Sequence, residues 1–324
     1  MLQQTQVKTV IPFWERWMRE LPTIAAAAYA DSAKIHKLWE GLGYYTRVRN
    51  LQKAAQVILE KYGGIFPERF EDVLALPGIG RYTAGAIGSI AFNQPTPILD
   101  GNVIRVLTRL FGIAENPKEK KTNTQLWELA EELVRQASGI EHPASPACSN
   151  LNQSLMELGA LVCTPRNAQC LICPVKKLCA AFKENRVDEF PNLGKRETAT
   201  ARHFLAFAIE WNGKFLVQQR PSGVVNAQLW EFPNVEATDM KPDVKASFQK
   251  LYGVKPKIIQ PLRTVKHSIT RYRITLEAFS VSLAKRPAKT NGRWLAPEGF
   301  DSLAFASAHK KLASAAAKSI LSDR

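Results

Sequence analysis

The amino-acid sequence lacks the features of a membrane or secreted protein. No apolar run approaches the roughly 18 residues of a membrane-spanning helix, and the longest, residues 24–30, is mostly alanine. Residues 1–7 have neither the basic segment nor the apolar core of a signal peptide. Cysteine is scarce: there are five, an odd number, and four are clustered, which argues against a disulfide-bonded scaffold. We therefore expect an intracellular protein of the cytoplasm with no membrane partner.

Acidic residues are few relative to basic ones. The 324 residues include 44 Lys and Arg against 29 Asp and Glu, a formal net charge of +15. Such an excess favours a polyanionic partner such as nucleic acid, because each neutralised phosphate releases a counterion. A merely basic, solvated surface is the alternative. The 45% hydrophobic and 23% charged residues indicate a globular chain, long enough for two domains of about 100–200 residues each.

The chain changes character once along its length. Helical spacing of apolar residues dominates residues 1–182. Residues 183–200 are polar and poor in large apolar side chains, which is typical of a linker. Residues 201–324 mix strand and helix patterns, and the Asn-Gly pair at 212–213 predicts a tight hairpin. The sequence thus predicts two domains, one all-α and one α+β. Strand candidates are 203–211, 214–219, 229–232, 258–265, 272–281 and 293–295, and helical candidates are 241–252 and 307–322.

Four cysteines stand close together in the sequence, with the spacing C-x6-C-x2-C-x5-C. Structural zinc usually takes two short-spaced pairs separated by a longer arm, whereas this chain has one CxxC pair. The spacing therefore favours an iron–sulfur cluster over zinc. Cys148 lies outside the pattern and is expected to be an ordinary buried thiol. The clustered cysteines are Cys163, Cys170, Cys173 and Cys179.

A glycine-rich segment, Leu-Pro-Gly-Ile-Gly-Arg-Tyr-Thr-Ala-Gly at 76–85, lies between two predicted helices. Gly78 and Gly80 permit a tight turn, and Thr83 falls in the first turn of the second helix. Amide groups at such a helix start can bind a DNA phosphate without reading a base. Any helix–helix turn is the alternative. An isolated Asp100, further along the chain and before the cysteines, makes the combination specific.

This combination resembles the endonuclease III superfamily of DNA glycosylases over residues 1–182, and within it the MutY-type adenine DNA glycosylases. The resemblance implies a helix-hairpin-helix fold in which the four cysteines hold a [4Fe-4S] cluster in a loop at 163–179. It also implies that the substrate is double-stranded DNA with adenine mispaired with 8-oxoguanine or guanine. The matching segments are Met-Leu-Gln-Gln-Thr-Gln-Val at 1–7, Gly-Leu-Gly-Tyr-Tyr at 41–45, Leu-Asp-Gly-Asn-Val at 99–103 and Glu-Leu-Gly-Ala-Leu-Val-Cys at 157–163.

The resemblance implies catalytic residues. Asp100 matches the family's catalytic aspartate, and a carboxylate near the sugar stabilises the oxocarbenium-like transition state of base release. The same residue is also a candidate helix N-cap. Asn102 matches the supporting asparagine. Tyr82 takes the position of the lysine that lyase-competent relatives use as a Schiff-base nucleophile, so base removal without efficient strand cleavage is expected.

The resemblance also implies residues for DNA recognition, which requires extrusion of the target base from the stack. Gln4 and Tyr44 match residues that wedge into the helix, and Thr5 lies beside them. Gln153 matches a position in the adenine pocket. Packing beneath the glycine turn is the alternative role for Tyr44.

The family's general acid is a glutamate just before the methionine that matches Met1, so it lies outside this sequence. General acid catalysis typically contributes about 10²–10⁴-fold to the rate. We therefore expect the chain as given to excise adenine poorly. A start assigned at an internal methionine, or a fragment, would explain the difference.

Residues 201–324 resemble the Nudix-like domain with which the family inspects the oxidised guanine. Nudix hydrolases need clustered glutamates for divalent metal, and these are missing after Pro233, so binding without hydrolysis is expected. Thr270 falls in the register of the family's lesion-reading loop, and His267 with Ser268 is the rival pair. The matching segments are 218–223, 229–233 and 293–296.

Two other functions stay open at this point. An endonuclease III-like glycosylase/lyase is the first, although Tyr82 and the second domain speak against it. A catalytically impaired DNA-binding module is the second, and it would follow from the missing glutamate. For the adenine DNA glycosylase that the resemblance implies, we expect a monomer associated with the nucleoid.

Overall fold

The computed structural model describes residues 1–139, 146–195, 198–237, 239, 242–287 and 290–322. The chain divides into two compact units, one made of residues 57–196 and the other of residues 1–56 with 197–324. This division does not test the domain boundaries predicted at 182 and 200, which stay a prediction. Residue 241, where a helix was expected to begin, lies outside the described residues.

Every regular element described before residue 184 is a helix, which confirms the predicted all-α character. Polar side chains begin several of them; Thr23 and Asp31, for example, accept hydrogen bonds from first-turn N–H groups. No helix in the described part of the chain is long and apolar enough to cross a membrane. The helices are α1 Val7–Glu20, α2 Ile24–Tyr29, α3 Ser32–Leu38, α4 Thr46–Tyr62, α5 Phe70–Leu74, α6 Arg81–Phe92, α7 Gly101–Phe111, α8 Lys120–Ser138, α9 Ala147–Glu157 and α10 Ala180–Lys183.

The core of the 57–196 unit lies around α7. Val103 and Leu107 on this helix are fully buried and pack with Leu126 of α8. The helix begins at the Asp100 cap and ends before Gly112, whose φ of 66° is the left-handed conformation that glycine adopts without strain. Because Arg105, Val106, Thr108 and Arg109 are buried as well, α7 is enclosed on most sides, which fixes the direction in which its N-terminus points.

Part of the predicted linker 183–200 packs against the helical unit. Phe190 is 3% exposed, its carbonyl accepts a hydrogen bond from Arg109 Nε at 2.9 Å, and the Arg186 guanidinium lies 4.9 Å from its ring centroid. The composition of the segment is polar, but one large apolar side chain is enough to anchor it.

The C-terminal part of the chain forms a mixed sheet with two helices. All six predicted strands are present, and one short strand, β4, is additional. The elements are β1 Thr200–Trp211, β2 Lys214–Gln219, β3 Trp230–Glu231, β4 Asn234–Glu236, α11 Val244–Tyr252, β5 Ile258–Ile269, β6 Tyr272–Ser282, β7 Arg293–Leu295 and α12 Ser307–Ser322.

The sheet runs β3-β2-β1-β6-β5, with β4 added to β1 and β7 to β2. Strands β1 and β6 are parallel, and the other pairs are antiparallel. The predicted hairpin between β1 and β2 is confirmed, because Asn212 and Gly213 both have positive φ, 50° and 72°. Phe207 and Phe248 belong to one core on this sheet and Phe232 to another.

The segment 1–56 joins this C-terminal fold through ionic contacts around Glu40. The Glu40 carboxylate is 7% exposed and accepts hydrogen bonds from Lys37 Nζ at 2.8 Å, Lys310 Nζ at 2.5 Å and the Phe305 N–H at 3.0 Å. Lys37 also donates to the carbonyl of Leu303 at 3.1 Å. Burial raises the pKa of Glu40, but these hydrogen bonds outweigh it, and the pKa lies below its ordinary value.

Candidate functional site

Asp100 caps the N-terminus of α7. One carboxylate oxygen accepts hydrogen bonds from the N–H groups of Asn102 and Val103 at 3.0 and 2.8 Å. The other accepts from the Asn102 side-chain amide at 3.2 Å. The helix dipole and these three donors hold the carboxylate in one orientation. The N-cap role predicted from the sequence is confirmed.

A buried arginine orients the Asn102 amide. Arg105 Nη2 donates to Asn102 Oδ1 at 2.9 Å and to the Gly159 carbonyl at 2.6 Å, while Nε donates to the Cys163 carbonyl at 2.7 Å. The amide oxygen of Asn102 is thereby turned to Arg105 and its NH₂ group to Asp100. The Asp100 carboxylate is thus connected through two side chains to the start of the cysteine loop.

Gly159 lies on a π-helical turn at Leu158–Val162, which continues α9 and leads into Cys163. A Cβ placed on Gly159 would lie 2.7 Å from the Asn102 Cβ. Only glycine therefore lets this turn pack against α7 without displacing Asn102. Such π-helical insertions in proteins are frequently found at functional sites.

Tyr82 lies half-buried on α6 among the residues that pack against the α7 core. Its hydroxyl is 3.5 Å from the Met156 sulfur. Burial and then the negative charge of Asp100 raise the pKa of Tyr82, so the phenol is protonated at neutral pH. The structure thus brings Tyr82, Asp100 and Asn102 into one region.

The glycine hairpin before α6 has the predicted tight turn. Gly78 has a φ of 79°, which favours glycine, and the Ile79 N–H donates to the Leu76 carbonyl at 3.1 Å. Gly80 is the N-cap of α6 and supplies no side chain to cap it, and Thr83 lies in the first turn, as expected. First-turn amides of a helix have no intrahelical acceptor, which makes this end suited to an anion.

The four cysteines line one pocket, together with Arg109. Arg109 Nη1 lies 3.3 Å from Cys163 Sγ, and the Cys179 thiol donates to the Arg109 carbonyl at 3.3 Å. Cys148 lies apart from them and is 1% exposed, as predicted. Within the described ranges, no group of three or more His, Cys, Asp or Glu is drawn together closely enough to hold a metal ion.

The donor set nevertheless fits a thiolate-bound cluster. Burial, followed by the nearby Cys163 and Cys179, raises the pKa of the Cys170 thiol. The charged forms of these thiols therefore disfavour one another, and a cationic centre between them would remove that penalty.

The predicted recognition residues at the start of the chain lie in the other unit. Gln4 is exposed with a φ of 57°, and Tyr44 is 57% exposed with a φ of 47°. The Thr5 hydroxyl accepts a hydrogen bond from Arg47 at 3.1 Å. Gln153 belongs to the 57–196 unit, where it lies exposed on α9 and donates to the Ser149 hydroxyl at 3.0 Å.

The two candidate lesion contacts in the C-terminal fold have different surroundings. Thr270 is exposed at the turn between β5 and β6, with a φ of 51°. His267 lies within β5 opposite Ile274, and its buried Nδ1 has no hydrogen-bond partner. Burial, and then Lys311, lower the pKa of His267. This environment favours Thr270 as the residue that faces a ligand.

Sequence reasoning missed Arg105 and Gly159. A signal for Arg105 was present, because it stands among the apolar residues of α7, where a charged side chain must find buried acceptors. The close approach at Gly159 depends on a contact distant in sequence. The expectation about a glutamate before Met1 stays a prediction.

Two family models match the chain. One describes an HhH-GPD superfamily base excision DNA repair protein and matches residues 1–132, and the other describes a NUDIX domain and matches residues 205–315. These matches agree with a helical first part and an α+β second part.

Curated relatives match over most of the chain. It is 36% identical to the adenine DNA glycosylase of Mus musculus, over 96% of this chain and 69% of the relative. It is 34% identical to that of Homo sapiens, over 96% and 66%. The adenine DNA glycosylase of Buchnera aphidicola subsp. Baizongia pistaciae is 32% identical, over 88% and 77%. Among solved structures, a thermostable thymine-DNA glycosylase is similar, with 29% identity, a TM-score of 0.49 and coverage of 56% of this chain and 80% of that one.

Proposed function

Since the chain belongs to the adenine DNA glycosylase family, whose members remove adenine in base excision repair, we propose that it excises adenine opposite 8-oxoguanine or guanine in duplex DNA without cutting the strand. The observation that carries the proposal is the fixed orientation of Asp100 by the α7 N-terminus and by Asn102. We further propose that it acts as a monomer on nucleoid DNA in the cytoplasm.

Asp100 acts on the sugar. As the bond between adenine and the sugar breaks, positive charge develops at the anomeric carbon, and a preoriented carboxylate stabilises it. The α7 amides donate to one carboxylate oxygen of Asp100, and the Asn102 side chain donates to the other. The carboxylate therefore needs no reorganisation when positive charge develops on the sugar. Water then adds to the same carbon and loses a proton, while the departing adenine takes up a proton, so that the products are an abasic sugar and neutral adenine.

Tyr82 accounts for release of the base alone. A phenol cannot form an imine with the sugar, so the β-elimination of a lyase has no amine at this position. An endonuclease III-like glycosylase/lyase is the alternative function. Borohydride trapping separates the two, because only an imine intermediate gives a stable protein–DNA adduct.

The four cysteines would hold the [4Fe-4S] cluster, whose bonds to thiolates fix the shape of the 163–179 loop when it is bound. Arg109 contacts the loop at Cys163 and Thr164, and Arg105 contacts it at the Cys163 carbonyl. The loop therefore supports the side of α7 that carries Asp100 and Asn102.

DNA binding would involve several further parts of the chain. The N-terminus of α6, which follows the Gly78 and Gly80 turn, suits a phosphate oxygen. The exposed side chains of Gln4 and Tyr44 suit insertion beside the extruded adenine. Thr270 would contact the oxidised guanine, and Gln153 the adenine. The net charge of +15 predicts that affinity falls steeply with salt.

Single-turnover excision on a labelled duplex tests the proposal. The wild-type chain should leave an alkali-labile abasic site at adenine opposite 8-oxoguanine, at the low rate expected from its sequence. Asp100→Asn keeps the acceptor oxygen for α7 and should remove measurable excision while binding is retained. Excision by Asp100→Asn at the wild-type rate, or no preference for adenine, would refute the assignment.

A further inference from the structure

Two exposed residues near the start of the chain have an unusual backbone conformation. Gln4 and Tyr44 lie in the left-handed region, with φ of 57° and 47°. This conformation is uncommon for residues other than glycine, and it persists only where the surrounding structure enforces it. The two residues stand in separate loops, one before α1 and the other between α3 and α4. Each loop must therefore be held in this conformation by contacts with the rest of the protein.

Both loops are held by the guanidinium of Arg47. Its Nη1 donates to the carbonyls of Met1 (2.9 Å) and Gln3, and to the Thr5 hydroxyl at 3.1 Å, on both sides of Gln4. Its Nη2 donates to the carbonyls of Leu42 and Gly43 at 3.0 and 3.3 Å, directly before Tyr44. One planar group therefore connects two loops that carry exposed side chains.

Arg47 is itself held in place by aromatic rings. Its guanidinium carbon lies 5.3 Å from the Trp39 ring centroid and 5.6 Å from that of Tyr44, both within the range of a cation–π contact. The Trp39 indole N–H also donates to the Gly43 carbonyl at 3.0 Å. The guanidinium plane is thus fixed relative to the Tyr44 loop before any ligand arrives.

We propose that Arg47 is a positioning residue that fixes the Gln4 and Tyr44 loops relative to each other, so that the two side chains enter the DNA stack together. The inference rests on the proposed role of Gln4 and Tyr44 in base extrusion. Arg47 donates its hydrogen bonds within the protein, so its effect on DNA is exerted through the loops. Lysine cannot replace it, because one ammonium lacks the planar fork that reaches acceptors on both loops.

The test measures unstacking of the target base with the 324-residue chain. A duplex carries fluorescent 2-aminopurine in place of the adenine opposite 8-oxoguanine, and its emission rises on extrusion. Arg47→Lys should lose most of the emission increase at saturation, and single-turnover excision should fall roughly tenfold to a hundredfold, as expected for misplaced groups. Affinity for an undamaged duplex should stay close to the wild-type value, and the protein should remain folded at the assay temperature.

Arg16→Lys is the matched control. Arg16 also contacts an aromatic ring, that of Phe13 at 4.9 Å, and a carbonyl, that of Leu38 at 3.0 Å, but it makes no hydrogen bond to the Gln4 or Tyr44 loop. Arg16→Lys should leave the increase in 2-aminopurine emission intact. Thr5→Val removes a single acceptor of Arg47 and should give a smaller loss of emission in a fully folded protein, which tests the proposal even if Arg47→Lys is poorly folded.

Two glycine variants separate this inference from the proposed function. Gln4→Gly and Tyr44→Gly keep the left-handed backbone and remove only the side chains. If the two glycine variants reduce the increase in emission but Arg47→Lys and Thr5→Val do not, only the proposed role of Arg47 is refuted. If neither glycine variant has an effect, the wedge assignment and the Arg47 proposal both fail. If Arg47→Lys lowers thermal stability and affinity for the undamaged duplex in proportion to the loss of emission, Arg47 has a merely structural role. That result would overturn the proposal.

Discussion

Gly159 and Asn102 are in direct contact. A Cβ on Gly159 would lie 2.7 Å from the Asn102 Cβ, closer than such atoms approach in proteins, and 3.0 Å from the Asn102 carbonyl oxygen, which is a tight contact. Because the Asn102 amide donates to one of the two carboxylate oxygens of Asp100, the absence of a methyl group at position 159 allows Asn102 to hold that oxygen.

Gly159→Ala is therefore expected to displace Asn102 and lower single-turnover excision by roughly tenfold to a hundredfold, since misplacement by about 1 Å has effects of this size. Duplex affinity should change little, because the phosphate contact proposed for the N-terminus of α6 does not involve Asn102. Gly139→Ala is the control, as its Cβ would meet the Gln136 carbonyl at an ordinary 3.5 Å. Equal excision rates for the two variants would contradict the expectation.

Arg105→Lys should lower both excision and thermal stability. Lysine has one nitrogen for the three acceptors on Asn102, Gly159 and Cys163, and each buried polar group left without a partner costs about 1–3 kcal/mol. The measurements are the unfolding midpoint and the single-turnover rate. Arg135→Lys, at an exposed position of α8, should alter neither. An Arg105→Lys protein with wild-type excision would show that the Asn102 amide needs no support.

Glu40 should make the stability of the protein depend on pH. Its folded-state pKa lies below the ordinary value of 4.5, so its contribution is present at neutral pH and is lost as the pH falls through the folded-state value. The difference in unfolding free energy between wild type and Glu40→Gln should be largest above about pH 5 and shrink in more acidic solution.

A double-mutant cycle with Lys310→Gln identifies the partner in this effect. The coupling between positions 40 and 310 should disappear at the same acidic pH. A coupling that is unchanged between neutral and strongly acidic solution would mean that the carboxylate charge is not what joins these residues.

The cluster proposed for the 163–179 loop would give the purified protein a characteristic colour and metal content. We expect a yellow-brown protein with broad visible absorption and about four iron atoms per chain. Cys170→Ser should lose iron and weaken DNA binding, whereas Cys148→Ser, at a buried thiol outside the pocket, should keep both. A colourless protein with one zinc ion would refute the cluster.

Thr270 should affect the choice of lesion. Thr270→Gly keeps the positive φ and removes the hydroxyl, and it should reduce the preference for adenine opposite 8-oxoguanine over adenine opposite guanine. The preference is measured as the ratio of single-turnover rates. His267→Ala should leave the ratio near its wild-type value, and the reverse pattern would assign the contact to His267.

Local signals in the sequence were sufficient to predict helices, strands and turns, but not the contacts between residues that are distant in the sequence. The Asn212–Gly213 turn and the Asp100 cap depend on neighbouring residues, so residue type and spacing alone predicted both. The contact of Gly159 with Asn102 joins two helical segments that are far apart in the sequence, and no periodicity reports such a contact. The anchoring of the predicted linker by Phe190 was missed for a related reason, because composition averages over the one side chain that is buried.

The ionic contacts of Glu40 also set an order of events during synthesis. Lys37 and Leu303 are separated by 266 positions, and Glu40 and Lys310 by 270. At about 5–20 residues per second, a ribosome needs on the order of ten seconds or more to cover that interval. For that time the segment 1–56 lacks the partners that surround Glu40, and the loops of Gln4 and Tyr44 are carried by a segment whose packing is incomplete. A nascent chain would therefore complete this part of the molecule last, although it leaves the ribosome first.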